Sequence, residues 1–126
     1  MKLNICSSSV DTARALILYI LKQMDEQPGK IFNIAFSGGS TPITMFDLWV
    51  REYSKKTAWG RMRIWWVDER CVHPKSTKSN YGVMKRFLLS IVPIPLSHIF
   101  RIRGESRPQA EAIRYSLEVE KHVPKS

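Results

Sequence analysis

At 126 residues the chain fits one ordinary domain, and with 44% hydrophobic and 25% charged residues it reads as globular rather than disordered. It holds no run of about 18 or more apolar residues, which excludes a membrane-crossing helix within it. Lys and Arg outnumber Asp and Glu by 20 to 11, a formal charge of +9 that favours anionic partners: nucleic acid, an anionic membrane surface or a phosphorylated small molecule.

In chain order, residues 2–6 are a short apolar stretch that reads as a strand. The opening sequence does not read as a good signal peptide, because Asp11 and Arg14 interrupt the apolar region behind its single early Lys. Ser8 followed by Asp11 resembles a capping box. Val10, Ala13, Ile17, Ile20, Leu21 and Met24 then recur at helical spacing, until Gln27-Pro28-Gly29 stops the helix. Residues 31–36 (IFNIAF) are apolar without alternation, as in a parallel strand covered on both faces. After the loop SGGSTP, a second helix carries Ile43, Phe46, Val50 and Tyr53. Residues 62–67 (MRIWWV) are a second core strand ending in Asp68-Glu69-Arg70. A polar loop over 71–79 precedes a third helix with Ser79 or Asn80 as cap and Tyr81, Met84, Leu88 and Ile91 on its apolar side. Pro93 and Pro95 break it, 98–102 form a short strand, and Pro108 opens a fourth helix carrying Ala110, Ile113 and Leu117. This alternation predicts an α/β fold: an open, mostly parallel, Rossmann-like sheet with flanking helices and right-handed crossovers. The chain ends just after the fourth helix, where such a sheet often continues.

SGGSTP stands at the carboxyl end of a core strand, the rim where open α/β sheets bind ligands. Gly38 and Gly39 permit close backbone approach, Ser40 or Thr41 can cap the next helix, and Pro42 suits its first turn. Free N–H groups and the positive end of the helix dipole then make an anion site suited to phosphate. The pattern is neither a Walker A loop nor a dinucleotide fingerprint. A tight, well-capped strand-to-helix turn is the equally weighted alternative.

Asp68, Glu69 and Arg70 end a second core strand and so share that rim. A carboxylate and a guanidinium there can position water or a polar substrate, and a salt-bridged turn is the plain alternative. His73 is the one histidine near the rim and reads as exposed. His98 and His122 read as structural or surface residues. Trp49, Trp59, Trp65 and Trp66 follow the apolar periodicity and read as core rather than base-stacking platforms. Cys6 and Cys71 have no metal-type spacing and read as reduced thiols of a cytoplasmic protein. The basic residues are spread along the chain and read mostly as solvated surface, though the imbalance also fits a missing acidic segment.

SGGSTP, the stretch W-x-x-x-x-I-W-W-V-D-E-R-C-V over 59–72, S-N-Y-G over 79–82 and I-F-R-I-R-G-E over 99–105 together resemble 6-phosphogluconolactonase, of the glucosamine-6-phosphate deaminase/isomerase superfamily. The match runs in order from about residue 3 to about residue 119. Arg70, where the deaminase branch typically has tyrosine, and the Ser79–Gly82 motif favour the lactonase branch. The resemblance implies hydrolysis of 6-phosphogluconolactone to 6-phosphogluconate in the oxidative pentose phosphate pathway, with no metal and no organic cofactor. It implies that Ser37, Gly38, Gly39, Ser40 and Thr41 lie in the sugar-phosphate pocket. Asp68 and Arg70 then line the catalytic site, Arg70 holding the substrate or the developing oxyanion, and Asn80 orders the rim.

Lactonases of that family are about twice as long, and their second half carries an Asp-Gly-His segment whose histidine activates water. This sequence contains no Asp-Gly-His. It therefore reads as the N-terminal half of a larger lactonase domain, expected to be inactive alone and to associate with itself or a complementary fragment through an exposed sheet edge. Three rivals remain: a deaminase/isomerase-like enzyme, a non-catalytic sugar-phosphate-binding module, and a nucleic-acid binder. The last has only the charge in its favour, since no RNA-binding, helix-turn-helix or finger motif accompanies it.

Overall fold

The computed structural model describes residues 9–37 and 41–124. The strand expected at 2–6, the cap at Ser8, Cys6 and the loop residues Gly38, Gly39 and Ser40 therefore lie outside the described residues. In order, the elements are α1 (Ser9–Glu26), β1 (Phe32–Phe36), α2 (Thr41–Leu48), β2 (Met62–Trp66), α3 (Asn80–Met84), β3 (Ile99–Phe100) and α4 (Pro108–His122). The strands form an open, all-parallel sheet in the order β1-β2-β3, with Ile34 beside Ile64 and Ile64 beside Ile99. The α/β class and parallel topology are those the alternating pattern predicts.

Local chemistry accounts for the boundaries. α1 ends before Gly29, whose φ of 79° is a left-handed conformation that side chains disfavour. The Arg61 guanidinium then donates to the Met24 carbonyl in the last turn of α1 and to the Lys30 carbonyl beyond it. Ser79 caps α3 by accepting from the Gly82 N–H at 3.0 Å. Pro108 sits in the first turn of α4.

One face of the sheet, with Phe36, Met62, Ile64 and Trp66, packs against Ala13, Ile17, Ile20 and Met24 of α1, Phe46 and Leu48 of α2, and Met84 of α3. Each large apolar side chain buried there stabilises by about 1.5–3 kcal/mol relative to exposure. All four tryptophans are buried, as expected of core residues. Trp49 donates its indole N–H to Thr57 Oγ1 at 2.8 Å, Trp59 to the Ser54 carbonyl and Trp65 to Asn33 Oδ1.

Three features depart from the predicted pattern. α2 and α3 each run on through a π-helical turn, at Trp49–Tyr53 and Lys85–Leu89. These wider turns bury Trp49, Tyr53, Leu88 and Leu89 and leave Ile91, expected on the apolar side, exposed. β3 has two residues rather than the expected five, and His98 closes a 3-10 turn before it. The cause is Tyr115 of α4. Its hydroxyl accepts from the Trp66 N–H and donates to the Phe100 carbonyl, taking the place of the next rung between β2 and β3. In α4 the apolar residues expected to pack point away from the sheet, with Ile113 65% and Leu117 60% exposed. The sheet-facing side instead carries Glu111, Arg114, Tyr115 and His122.

Candidate functional site

β1 and β2 end side by side, because the Val67 N–H donates to the Phe36 carbonyl at 2.9 Å and extends their ladder. Ser37 follows β1 and is exposed on this rim. Thr41 begins α2, so the expected anion loop lies between Ser37 and this helix, with Gly38, Gly39 and Ser40 outside the described residues. Asp68 and Arg70 follow β2 on the same rim and are both exposed. Asn80, at the start of α3, donates from Nδ2 to the Asp68 carbonyl at 3.2 Å and approaches its carboxylate at 3.5 Å. Ser37, Asp68, Arg70 and Asn80 thus gather at the carboxyl ends of two adjacent strands, where the reading of the sequence put them.

The salt-bridged turn is not what forms. No ion pair involves Asp68, Glu69 or Arg70 among the described residues. Glu69 turns inward and accepts four hydrogen bonds. Its Oε1 takes the N–H groups of Arg70 (2.8 Å) and Asn80 (2.7 Å), and its Oε2 takes the Ser79 hydroxyl (2.9 Å) and the Tyr81 N–H (3.0 Å). One carboxylate fastens the end of β2 to the first turn of α3, using donors that a helix start leaves free.

Two glycines hold the loop between them in place. A Cβ on Gly104 would run into the Arg70 carbonyl oxygen, and one on Gly82 would come within 2.6 Å of the Pro74 carbonyl oxygen. The glycines of the S-N-Y-G and I-F-R-I-R-G-E motifs therefore let the loop backbone lie directly on α3 and on the chain after β3. Asp68 and Arg70 extend from a backbone held by Glu69 and packed closely against α3 and the chain after β3. Glu69, Gly82 and Gly104 are the residues the reading of the sequence left out of the site. The available signal was an acid at a strand end followed, ten residues on, by a Ser-Asn helix start.

The other sequence candidates lie apart. His73 is exposed and uses Nδ1 to accept from the Lys75 N–H within its own turn. His98 packs against the Met62 carbonyl, and His122 lies beside Phe100 and Glu118. Cys71 is a free, exposed thiol. Among the described residues no group of three or more His, Cys, Asp or Glu could hold a metal, and no helix is long and apolar enough to cross a membrane. A cavity of 530 Å³ lies beside the rim, lined mainly by α4 and the start of the β2–α3 loop, and its walls are mostly apolar.

The family described as glucosamine-6-phosphate isomerases/6-phosphogluconolactonase matches residues 7–126. The chain is 35% identical over 117 residues to a 6-phosphogluconolactonase of Treponema pallidum, covering 91% of this chain and 48% of that protein. It is 37% identical over 93 residues to the 6-phosphogluconolactonase of Haemophilus influenzae, covering 73% and 40%. The crystal structure of devB protein superposes with a TM-score of 0.90 at 35% identity, over 98% of this chain and 51% of that one. A monomeric glucosamine-6-phosphate deaminase shares the fold at a TM-score of 0.82 and 17% identity. The chain spans about half the length, or less, of the curated relatives it matches. With the α/β fold, the rim and these matches in agreement, the chain belongs to the glucosamine-6-phosphate isomerase/6-phosphogluconolactonase family.

Proposed function

We propose that residues 1–126 form the sugar-phosphate-binding half of a cytoplasmic 6-phosphogluconolactonase domain, which hydrolyses 6-phosphogluconolactone to 6-phosphogluconate. The observation that carries this reading is the exposed Asp68 and Arg70, in no ion pair among the described residues, on a loop pinned by Glu69, Gly82 and Gly104, next to the Ser37–Thr41 loop. A closely held backbone presenting exposed charges is poorly explained by stability alone, because a surface charge adds little to it. The identity to curated lactonases supports the substrate class.

In this reading the backbone N–H groups of 38–41 and the start of α2 receive the phosphate. Arg70 supplies a planar pair of donors to the phosphate or to the oxyanion that forms as water adds to the lactone carbonyl. Asp68, oriented by Asn80, accepts from sugar hydroxyls or the attacking water. Removal of the water proton falls to a histidine of the Asp-Gly-His segment, which these residues do not contain. The 126-residue chain therefore binds product without turnover.

Calorimetric titration with 6-phosphogluconate tests this. Measurable binding by the chain, lost about 10–100-fold in Arg70→Ala, is the expected result. Equal affinity of Arg70→Ala and parent, or tighter binding of glucosamine 6-phosphate than of 6-phosphogluconate, refutes the lactonase reading.

A further inference from the structure

The wall behind the Asp68–Arg70 loop is the turn that follows β3. Gly104 meets the Arg70 carbonyl, and a Cβ on it would come within 2.7 Å of the Val72 carbonyl oxygen. Among the described residues no hydrogen bond joins this turn to residues 70–72, so the contact is packing alone. The loop is therefore placed only as well as the turn is held. Bonds from the Gly104 N–H to the Ile102 carbonyl and from the Ser106 N–H to the Arg103 carbonyl give the turn its shape, but its seat comes from its neighbours.

Arg101 belongs to the seat on both sides. Its carbonyl accepts from Arg114 Nη2 of α4 at 3.1 Å. Its guanidinium lies over the Tyr81 ring of α3, 5.6 Å from the centroid. Nη1 and Nη2 then donate to the two carboxylate oxygens of Glu105, the residue after Gly104, at 2.9 and 2.7 Å. A fork on a carboxylate fixes direction as well as distance. These bonds, and in small part His73 on the far side, hold the Glu105 carboxyl at about 2, so the pair stays charged at neutral pH. Tyr81 is also the residue whose N–H Glu69 binds, so the clamp inside the loop and the clamp behind it meet at the start of α3. The Arg101 and Glu105 side chains are 26% and 36% exposed, and a pair so exposed adds little stability, which leaves geometry as its contribution.

We propose that Arg101, through its fork on Glu105, is a positioning residue for Arg70: it seats Gly104 against the Arg70 carbonyl and so sets where that guanidinium is presented. No slack separates the two chains, so a shift of the turn passes straight to the Arg70 backbone. A displacement of about 1 Å at a group that holds substrate can cost about 100-fold. The consequence for substrate rests on the lactonase reading, whereas the placement of the loop does not.

Amide exchange followed by NMR on the full 126-residue chain, without ligand, tests the placement. The Arg70 and Val72 amides are each hydrogen-bonded within the loop. In Arg101→Ala they should exchange about tenfold faster, while the Ile64 amide and the urea midpoint stay as in the parent. Glu105→Gln, which leaves Arg101 in place, should do the same. Arg101→Lys should lie between, because it keeps a cation over Tyr81 but not the paired donors. A double-mutant cycle with 6-phosphogluconate tests the consequence. Arg101→Ala should weaken binding about tenfold in the parent and less than about twofold in Arg70→Ala, since it acts through Arg70. Unchanged exchange at 70 and 72 overturns the proposal. So does faster exchange throughout the chain with a lowered midpoint, the mark of a merely structural pair, and so do equal binding losses in the two backgrounds. A parent chain that binds no 6-phosphogluconate refutes the lactonase reading, and the exchange result then decides the positioning role by itself.

Discussion

Asp68, Glu69 and Arg70 are consecutive, yet they have different roles. Asp68 and Arg70 are exposed and free of ion pairs among the described residues, whereas Glu69 accepts four hydrogen bonds. Glu69→Gln keeps the shape but offers one carbonyl oxygen and turns an NH₂ toward N–H and O–H donors. It should cost about 2–3 kcal/mol in urea unfolding and speed amide exchange at 79–82. A cost below 0.5 kcal/mol would sink the fastening role. Arg70→Ala should leave stability within about 0.5 kcal/mol, as for other surface substitutions, while weakening 6-phosphogluconate binding. The outer pair was legible because position at a strand end is a local property of the sequence. Glu69 was not, because its partners at 79–81 are reached only once the loop has folded back.

The same division holds for whole elements. β1, β2, α1 and the cap of α3 follow from local signals: unbroken apolar runs, 3.6-residue periodicity, and a serine before a helix. β3 and α4 do not, because a tertiary contact overrides the local pattern. Tyr115 removes a rung from β3, and α4 meets the sheet through polar and aromatic groups while Ile113 and Leu117 face outward. A periodicity argument assigns the apolar stripe to the nearest sheet and cannot foresee that polar and aromatic groups make that contact instead. Burial of the Tyr115 phenol raises its pKa to about 12. The protonated phenol is thus favoured in the folded state, so its contribution is full below about pH 10 and is lost as pH rises toward 12. Ultraviolet titration should find a tyrosine ionising at about pH 12, and that transition should vanish in Tyr115→Phe. The same variant leaves the Trp66 N–H and the Phe100 carbonyl without this partner and should cost about 2 kcal/mol. Absence of that late transition would mean that the inserted rung does not persist in solution.

At the scale of the molecule, ion pairs decide how the fold responds to acid. Arg14 holds Glu52 below the usual carboxylate range and ties α1 to the turn after α2. A hydrogen bond from Arg101 lowers Glu105 to about 2. Arg114 lowers Glu111, which is only 5% exposed and also accepts from the Arg103 N–H, so this carboxylate fastens α4 to the chain after β3. All three shifts have one sign. Each group binds its proton more readily when unfolded, so the stability it supplies is present above about pH 4.5 and is lost as pH falls through its lowered folded-state pKa, about 2 for Glu105. The exposed pairs contribute little and are screened by salt, so Glu111 should dominate. The urea midpoint should therefore stay flat from pH 7 to about 5 and then fall, and 0.5 M NaCl should change that fall only slightly. Glu111→Gln lowers the midpoint at pH 7 by removing a nearly buried acceptor from two donors. It should also flatten the descent below pH 4.5, because the group whose titration drives it is gone. If the variant descends in parallel with the parent, α4 is not held by this carboxylate.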